Sequence, residues 1–183
     1  MLSYIWQLFA CNPLNMEVPT AFSTSLSSSA YQLHGTWQMV DHYAFLPDDP
    51  SNTIQPMGVD AQALILYTSD GYMGAQFLTS GQKVSNATDA GFGDPPNPQS
   101  TEGTYMAYSG PFFLEHHSDT GAAFVLHRAD ITNVPGLKGQ TQKRRFEIKN
   151  EQDGEYLTLE SVDPIGFFGE DRIVNVKWKR LTK

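Results

Sequence analysis

The sequence predicts an all-β fold, an antiparallel barrel or sandwich of about eight short strands. Three observations carry that reading. From Gly35 onward the chain is a succession of short runs rich in β-branched and aromatic residues, each closed by a cluster of Gly, Pro, Asn, Asp or Ser. Aromatic residues make up 12% of the chain and charged residues only 17%, below the usual quarter or so, which suits a wide apolar interior. Helical apolar periodicity is scarce and the repeating unit is strand and turn, which indicates a meander rather than a propeller. At 183 residues the default is one domain with a core large enough to need no disulfide or metal clip.

Residues 1–30 read as an N-terminal extension. It starts aromatic, breaks at Pro13 and ends in the serine-rich Ser23–Ala30, whose side chains favour local backbone bonds, so a short helix and a linker are expected. The β-rich domain takes residues 31–183. Thr36–Phe45 is its first strand, with Trp37, Met39, Asp41 and Tyr43 on one face and Thr36, Gln38, Val40 and His42 on the other. Leu46–Gln62 carries three prolines and should be a loop. Leu64–Thr68 and Tyr72–Phe77 flank Asp70-Gly71, residues that tolerate the positive φ of a tight turn, and form a hairpin. Thr79–Gly103 lacks apolar periodicity and is longer than compact domains leave unstructured, as lids and binding loops are. Tyr105 and Tyr108 suggest a helical turn or two, stopped by Gly110-Pro111. Strands then follow at Phe112–His116, Ala123–Ile131, Lys143–Ile148, Tyr156–Ser161 and Arg172–Leu181.

The formal net charge of −8 and a pI near 4.9 repel a polyphosphate, so no nucleic acid partner is expected. Lys143, Arg144 and Arg145 cluster within a strand, where neighbours point to opposite faces, and should be mostly solvated. Cys11 alone permits neither a disulfide framework nor a thiolate metal site, and a reducing, cytoplasmic setting fits best. Met1–Cys11 is a short apolar run with no preceding basic residue and an interruption at Gln7, so secretion is the lesser alternative. No segment approaches the length of a membrane-spanning helix. Asn86-Ala87-Thr88 matches a glycosylation sequon, which matters only if the chain is secreted.

The order of motifs resembles the small microbial lipocalin-like domain family: GTWQMV from Gly35, LILYTSDGYMGAQF from Leu64, YMAYSGPFFLE from Tyr105, VLHRADITNVPGLKGQTQKRRFEI from Val125, GEYLTLES from Gly154 and VKWKRL from Val176. The resemblance runs from about Gly35 to the C-terminus. It implies a single antiparallel lipocalin-like β-barrel of about eight strands around a ligand cavity; the N-terminal extension and the long loop are additions to that pattern, and the loop is expected over the open end. It also implies that Trp37 packs at the closed end with Arg180 over its ring, a pairing cation–π attraction favours; alternatively, Arg180 is a solvated end-of-strand charge. Members often accompany natural-product pathways, and some related barrels act as cofactor-free cyclases or isomerases. No catalytic motif carries over residue by residue.

Five histidines raise the question of a metal. His116 and His117 would face opposite ways on a strand, and His34, His42 and His127 fall in separate elements without ligand spacing, so no metal and no cofactor is expected. GFGDPP is followed by no helix that could hold a phosphate, and no serine sits in a nucleophile elbow. Polar residues on apolar strand faces say more. Asp41 and His127, the latter sharing a face with Val125, Ala129 and Ile131, would be shifted toward neutrality if their faces line the cavity, as general acids and bases require. Alternatively, Asp41 sits in water and His127 is a core histidine. Arg144 alternates with Phe146 and Ile148: either it enters the barrel and orients a ligand oxygen, or it snorkels to the surface. These three are the catalytic candidates. Trp37, Met39, Tyr43, Tyr67, Tyr72, Met73, Gln76, Tyr105 and Tyr108 are the ligand-binding candidates, though each could simply pack the sheet.

Two functions follow as expectations. One is a cofactor-independent isomerase or cyclase, pericyclase-like included, acting on a hydrophobic natural-product intermediate inside the barrel. The other is a non-catalytic carrier or sequestering protein for a small hydrophobic ligand. Homodimerisation and an interaction role for the outer strands stay open.

Overall fold

The computed structural model describes residues 32–81, 105–117 and 119–182. Burial in it alternates from residue to residue along most strands, which is what one wall of a hollow sheet demands. The strands are β1 (Gly35–Leu46), β2 (Asp49–Ile54), β3 (Gln62–Tyr67), β4 (Tyr72–Leu78), β5 (Tyr105–His117), β6 (Ala122–Arg128), β7 (Ile131–Thr132), β8 (Thr141–Glu151), β9 (Gly154–Ser161), β10 (Ile165–Phe167) and β11 (Glu170–Arg180). Eight of them close an antiparallel barrel in the order β1-β3-β4-β5-β6-β8-β9-β11, and β11 pairs back onto β1 from Trp37 opposite Arg180 to Phe45 opposite Ile173. Closure leaves no free edge among these eight. The expected barrel is what the chain forms. The extension 1–30 and the expected loop 79–103 fall outside the described residues except for Thr79–Gly81, as do Cys11 and the sequon at Asn86.

One end is sealed around Trp37. Its ring is fully buried, its Nε1 donates to the Leu33 carbonyl at 2.8 Å, and the Arg180 guanidinium lies 4.0 Å from the ring centroid. Arg180 also donates to the Gln32 and His34 carbonyls and to Glu155, so it is a structural cation rather than a solvated end-of-strand charge. Gly35 makes this possible: at φ +127° a Cβ there would stand 2.7 Å from the guanidinium.

Four expectations are corrected. Within the segment read as a loop, residues 49–54 form β2, an exposed strand hairpinned onto β1. Pro50 is tolerated because β2 is an edge, and buried Arg172 pins it by donating to Asn52 O at 2.8 Å and Asn52 Oδ1 at 3.0 Å. Tyr105 and Tyr108 are not helical but belong to β5, where Met106, Tyr108, Gly110 and Phe112 are buried and Tyr105 exposed. Gly110-Pro111 is where β5 exchanges one neighbour for another: Tyr108 and Ser109 pair with β7, Phe112 onward with β6. The strand expected through Ile131 ends at Arg128, and alternation breaks at Asp130, leaving Ile131 74% exposed.

The fourth correction concerns β1. Met39 pairs with Trp178 and Asp41 with Lys177, which leaves Val40 as an extra residue in a bulge. Beyond it the faces swap: Trp37 and Met39 point in, and then His42 and Ala44 do. Asp41 is exposed and Tyr43 half-buried on the outer face, so neither shares the interior face with Trp37.

Candidate functional site

The barrel interior holds a chamber of about 40 Å³ with walls that include Met57, Ile65, Phe77, Leu159, Val174 and Trp178. That is room for roughly three water molecules. Three polar side chains reach it: Tyr108 from β5, His127 from β6 and Arg144 from β8. They converge because β6 lies between β5 and β8, with His127 directly opposite Phe112 on one side and Gln142 on the other.

His127 has no solvent exposure and contacts a phenol on each nitrogen, Tyr67 Oη at 2.8 Å from Nε2 and Tyr108 Oη at 3.3 Å from Nδ1. Burial, reinforced by the Arg144 charge, lowers its pKa to about 3. The ring is therefore neutral near pH 7, with one N–H and one acceptor nitrogen. A neutral ring donates to one of these phenols and accepts from the other. Burial pushes Tyr108 up to about 12 and Tyr67 well above the usual phenol range, so both stay protonated.

Arg144 is half-buried. Its Nη2 donates to Gln142 Oε1 at 2.8 Å and its Nη1 to the Lys143 carbonyl at 3.2 Å. Phe146 is buried two residues on, so Arg144 takes the inward of its two expected positions; of the basic cluster expected to be mostly solvated only Arg145 is exposed, since Lys143 is half-buried against Glu115. No carboxylate among the described residues pairs with it. The indole Nε1 of Trp178, 1% exposed, likewise has no hydrogen-bond partner among the described residues.

Several candidates stand elsewhere. Trp37, Met39 and Met73 are core residues away from the chamber wall. Tyr72 is 57% exposed and Tyr105 48% exposed, and Gln76, also exposed, accepts from the Tyr105 hydroxyl at 3.3 Å; all three decorate the outside of the barrel because Met73 and Phe77 take the inward parity of β4. Gln142, Met57 and Trp178 were not anticipated. Gln142 was legible in principle, two residues before Arg144 and so on its face; Trp178 likewise alternates with Arg180. Nothing in the sequence signals Met57, which a turn between β2 and β3 brings in.

A family profile described as a lipocalin-like domain matches residues 34–181. The chain belongs to the lipocalin-like domain family. Its lipocalin-like barrel has a general capacity to hold a small ligand, the use to which eight-stranded barrels of this kind are suited. No curated protein and no solved structure matches the chain. In this lipocalin-like protein no described helix is long and apolar enough to cross a membrane. Among the described residues no group of three or more His, Cys, Asp or Glu could hold a metal ion.

Proposed function

We propose that this lipocalin-like protein binds a small, mainly apolar molecule inside the barrel, with the oxygen-bearing end of the guest against Arg144. A single observation carries the reading: a guanidinium reaches a chamber whose remaining walls are largely apolar, and it does so from a position held by Gln142. Such a pocket sorts its guest by apolar fit along the wall and by hydrogen bonding at one point. The chamber is far smaller than pockets that take drug-sized molecules, so the guest is short, or else displaces Met57, whose unbranched thioether adapts readily.

The test uses Trp178 as an internal reporter. Straight-chain carboxylates and primary alcohols of four to about ten carbons, titrated into the purified protein, should change its tryptophan fluorescence saturably, with calorimetry confirming the stoichiometry. A flat response across the series in the wild type and in Met57→Ala would overturn the reading.

A second reading, a cofactor-free isomerase or cyclase of a natural-product intermediate, is favoured by Arg144, Tyr108 and His127 meeting at one chamber. Its chemistry would be polarisation of a carbonyl by Arg144 and confinement of a reactive conformer, worth up to about 7–11 kcal/mol in favourable intramolecular cases. His127 would not be the base: with a pKa of about 3 it is too weak to take a proton at neutral pH, and its part is to orient the phenols. Asp41, on the outer face, is no part of it. A chamber of this size encloses no polyene or terpenoid whole, so only a reacting end would enter. Conversion of a candidate intermediate, followed by chromatography, separates this reading from binding alone.

A further inference from the structure

We infer that the guest of the chamber is an oxyanion, a carboxylate or an enolate, rather than a neutral carbonyl or alcohol; the inference rests on the binding reading above. The first observation is a charge inventory. Every other buried or half-buried Lys and Arg among the described residues has a carboxylate partner: Arg128 with Asp130, Lys143 with Glu115, Arg172 with Glu170, Lys177 with Glu151, Lys179 with Asp153 and Arg180 with Glu155. Arg144 stands apart, in a chain where acidic residues outnumber basic ones 20 to 12. A shortage of carboxylates is not the reason. A guanidinium stays protonated at any accessible pH, and a cation drawn out of water without a counter-charge is costly. A bound oxyanion supplies what the described residues do not.

A second observation is independent of charge. Among the described residues the donors at the chamber outnumber its acceptors. Of the five N–H groups of Arg144 two have acceptors in Gln142 and Lys143, and the buried Trp178 indole N–H has none among the described residues. Neither His127 nor the two tyrosines offers a competing negative charge, since all three are neutral. An anionic oxygen, with several lone pairs and bonds roughly twice as strong to charged donors, fits this surplus better than a neutral one. Gln142 Oε1 holds the guanidinium plane from the side, so the fork can present two parallel donors.

The experiment compares carboxylates with primary alcohols of equal chain length on three proteins: wild type, Arg144→Gln and Arg144→Lys. The wild type should bind the carboxylate about tenfold or more tighter, Arg144→Gln should lose that preference, its carboxylate affinity falling much further than its alcohol affinity, and Arg144→Lys should retain part of it. Thermal melting controls for folding, and if Arg144→Gln does not fold, the wild-type ratio and Arg144→Lys decide. Equal wild-type affinity for acid and alcohol, or a preference that survives Arg144→Gln, would overturn the inference and leave the small-ligand reading standing. Failure of both series to bind would overturn the two together.

Discussion

An imidazole with no solvent exposure and a phenol on each nitrogen gains nothing from a proton. His127 takes one only near pH 3 when folded, while the unfolded chain takes one near 6.5. Unfolding therefore binds a proton between those values, and stability falls as pH drops from 6.5 to about 3, by up to ~1.4 kcal/mol per unit, then levels off. His42, whose pKa burial also lowers, adds to the slope in the same direction. We expect His127→Gln to flatten the dependence of urea-unfolding free energy on pH across this window; an unchanged slope would mean His127 is not its source. At this scale the sequence disclosed His127 as a polar residue on an apolar face, but not that two tyrosines from different strands would hold it neutral. Trp37 and Arg180 were legible through a motif that pairs the first strand with the last. Their contact needed no strand parity to be worked out.

Among the elements, β1 and β5 show where strand reading breaks. Strict alternation placed Asp41 beside Trp37, and the single extra residue Val40 moves it to the outside and brings His42 in. A bulge leaves no mark in composition, because it is decided by how β1 meets β11. In β5 the Gly-Pro pair that normally stops a helix instead lets one strand serve two partners. A Cβ on Gly110 would lie 2.1 Å from the Arg128 carbonyl oxygen, so the chain crosses from β6 to β7 only over a glycine. Gly110→Ala should cost about 2 kcal/mol or more through forced backbone movement, seen as a lowered melting temperature with loss of amide protection at Ala129 and Asp130. A variant as stable as the wild type would show that the crossing can shift without penalty.

For the molecule as a whole, closure of β11 onto β1 creates an interior, and side-chain volume decides how much of it stays empty. Among the described residues, aromatic and aliphatic side chains leave one chamber of about 40 Å³, with Met57 entering from outside the barrel strands. Met57→Ala should destabilise the fold by about 2–5 kcal/mol and extend the longest alkyl chain bound. A stable variant with an unaltered chain-length cutoff would place the limit elsewhere in the wall.

By itself the sequence determined that this chain would be a meander of short strands and that Asp70-Gly71 would turn it, and its family resemblance implied that Trp37 and Arg180 would meet. The first two rest on local rules, side chains that alternate every second residue and turn residues; the third rests on the resemblance of the motif at each end. Only the tertiary structure decided which face of each strand points inward and that Arg144 would enter the chamber with no carboxylate beside it among the described residues. The physical reason is that a strand's pattern defines two faces but not their sense; a single inserted residue, or a neighbour strand's register, inverts it. Charge balance, burial and proton affinity then follow from that choice of face.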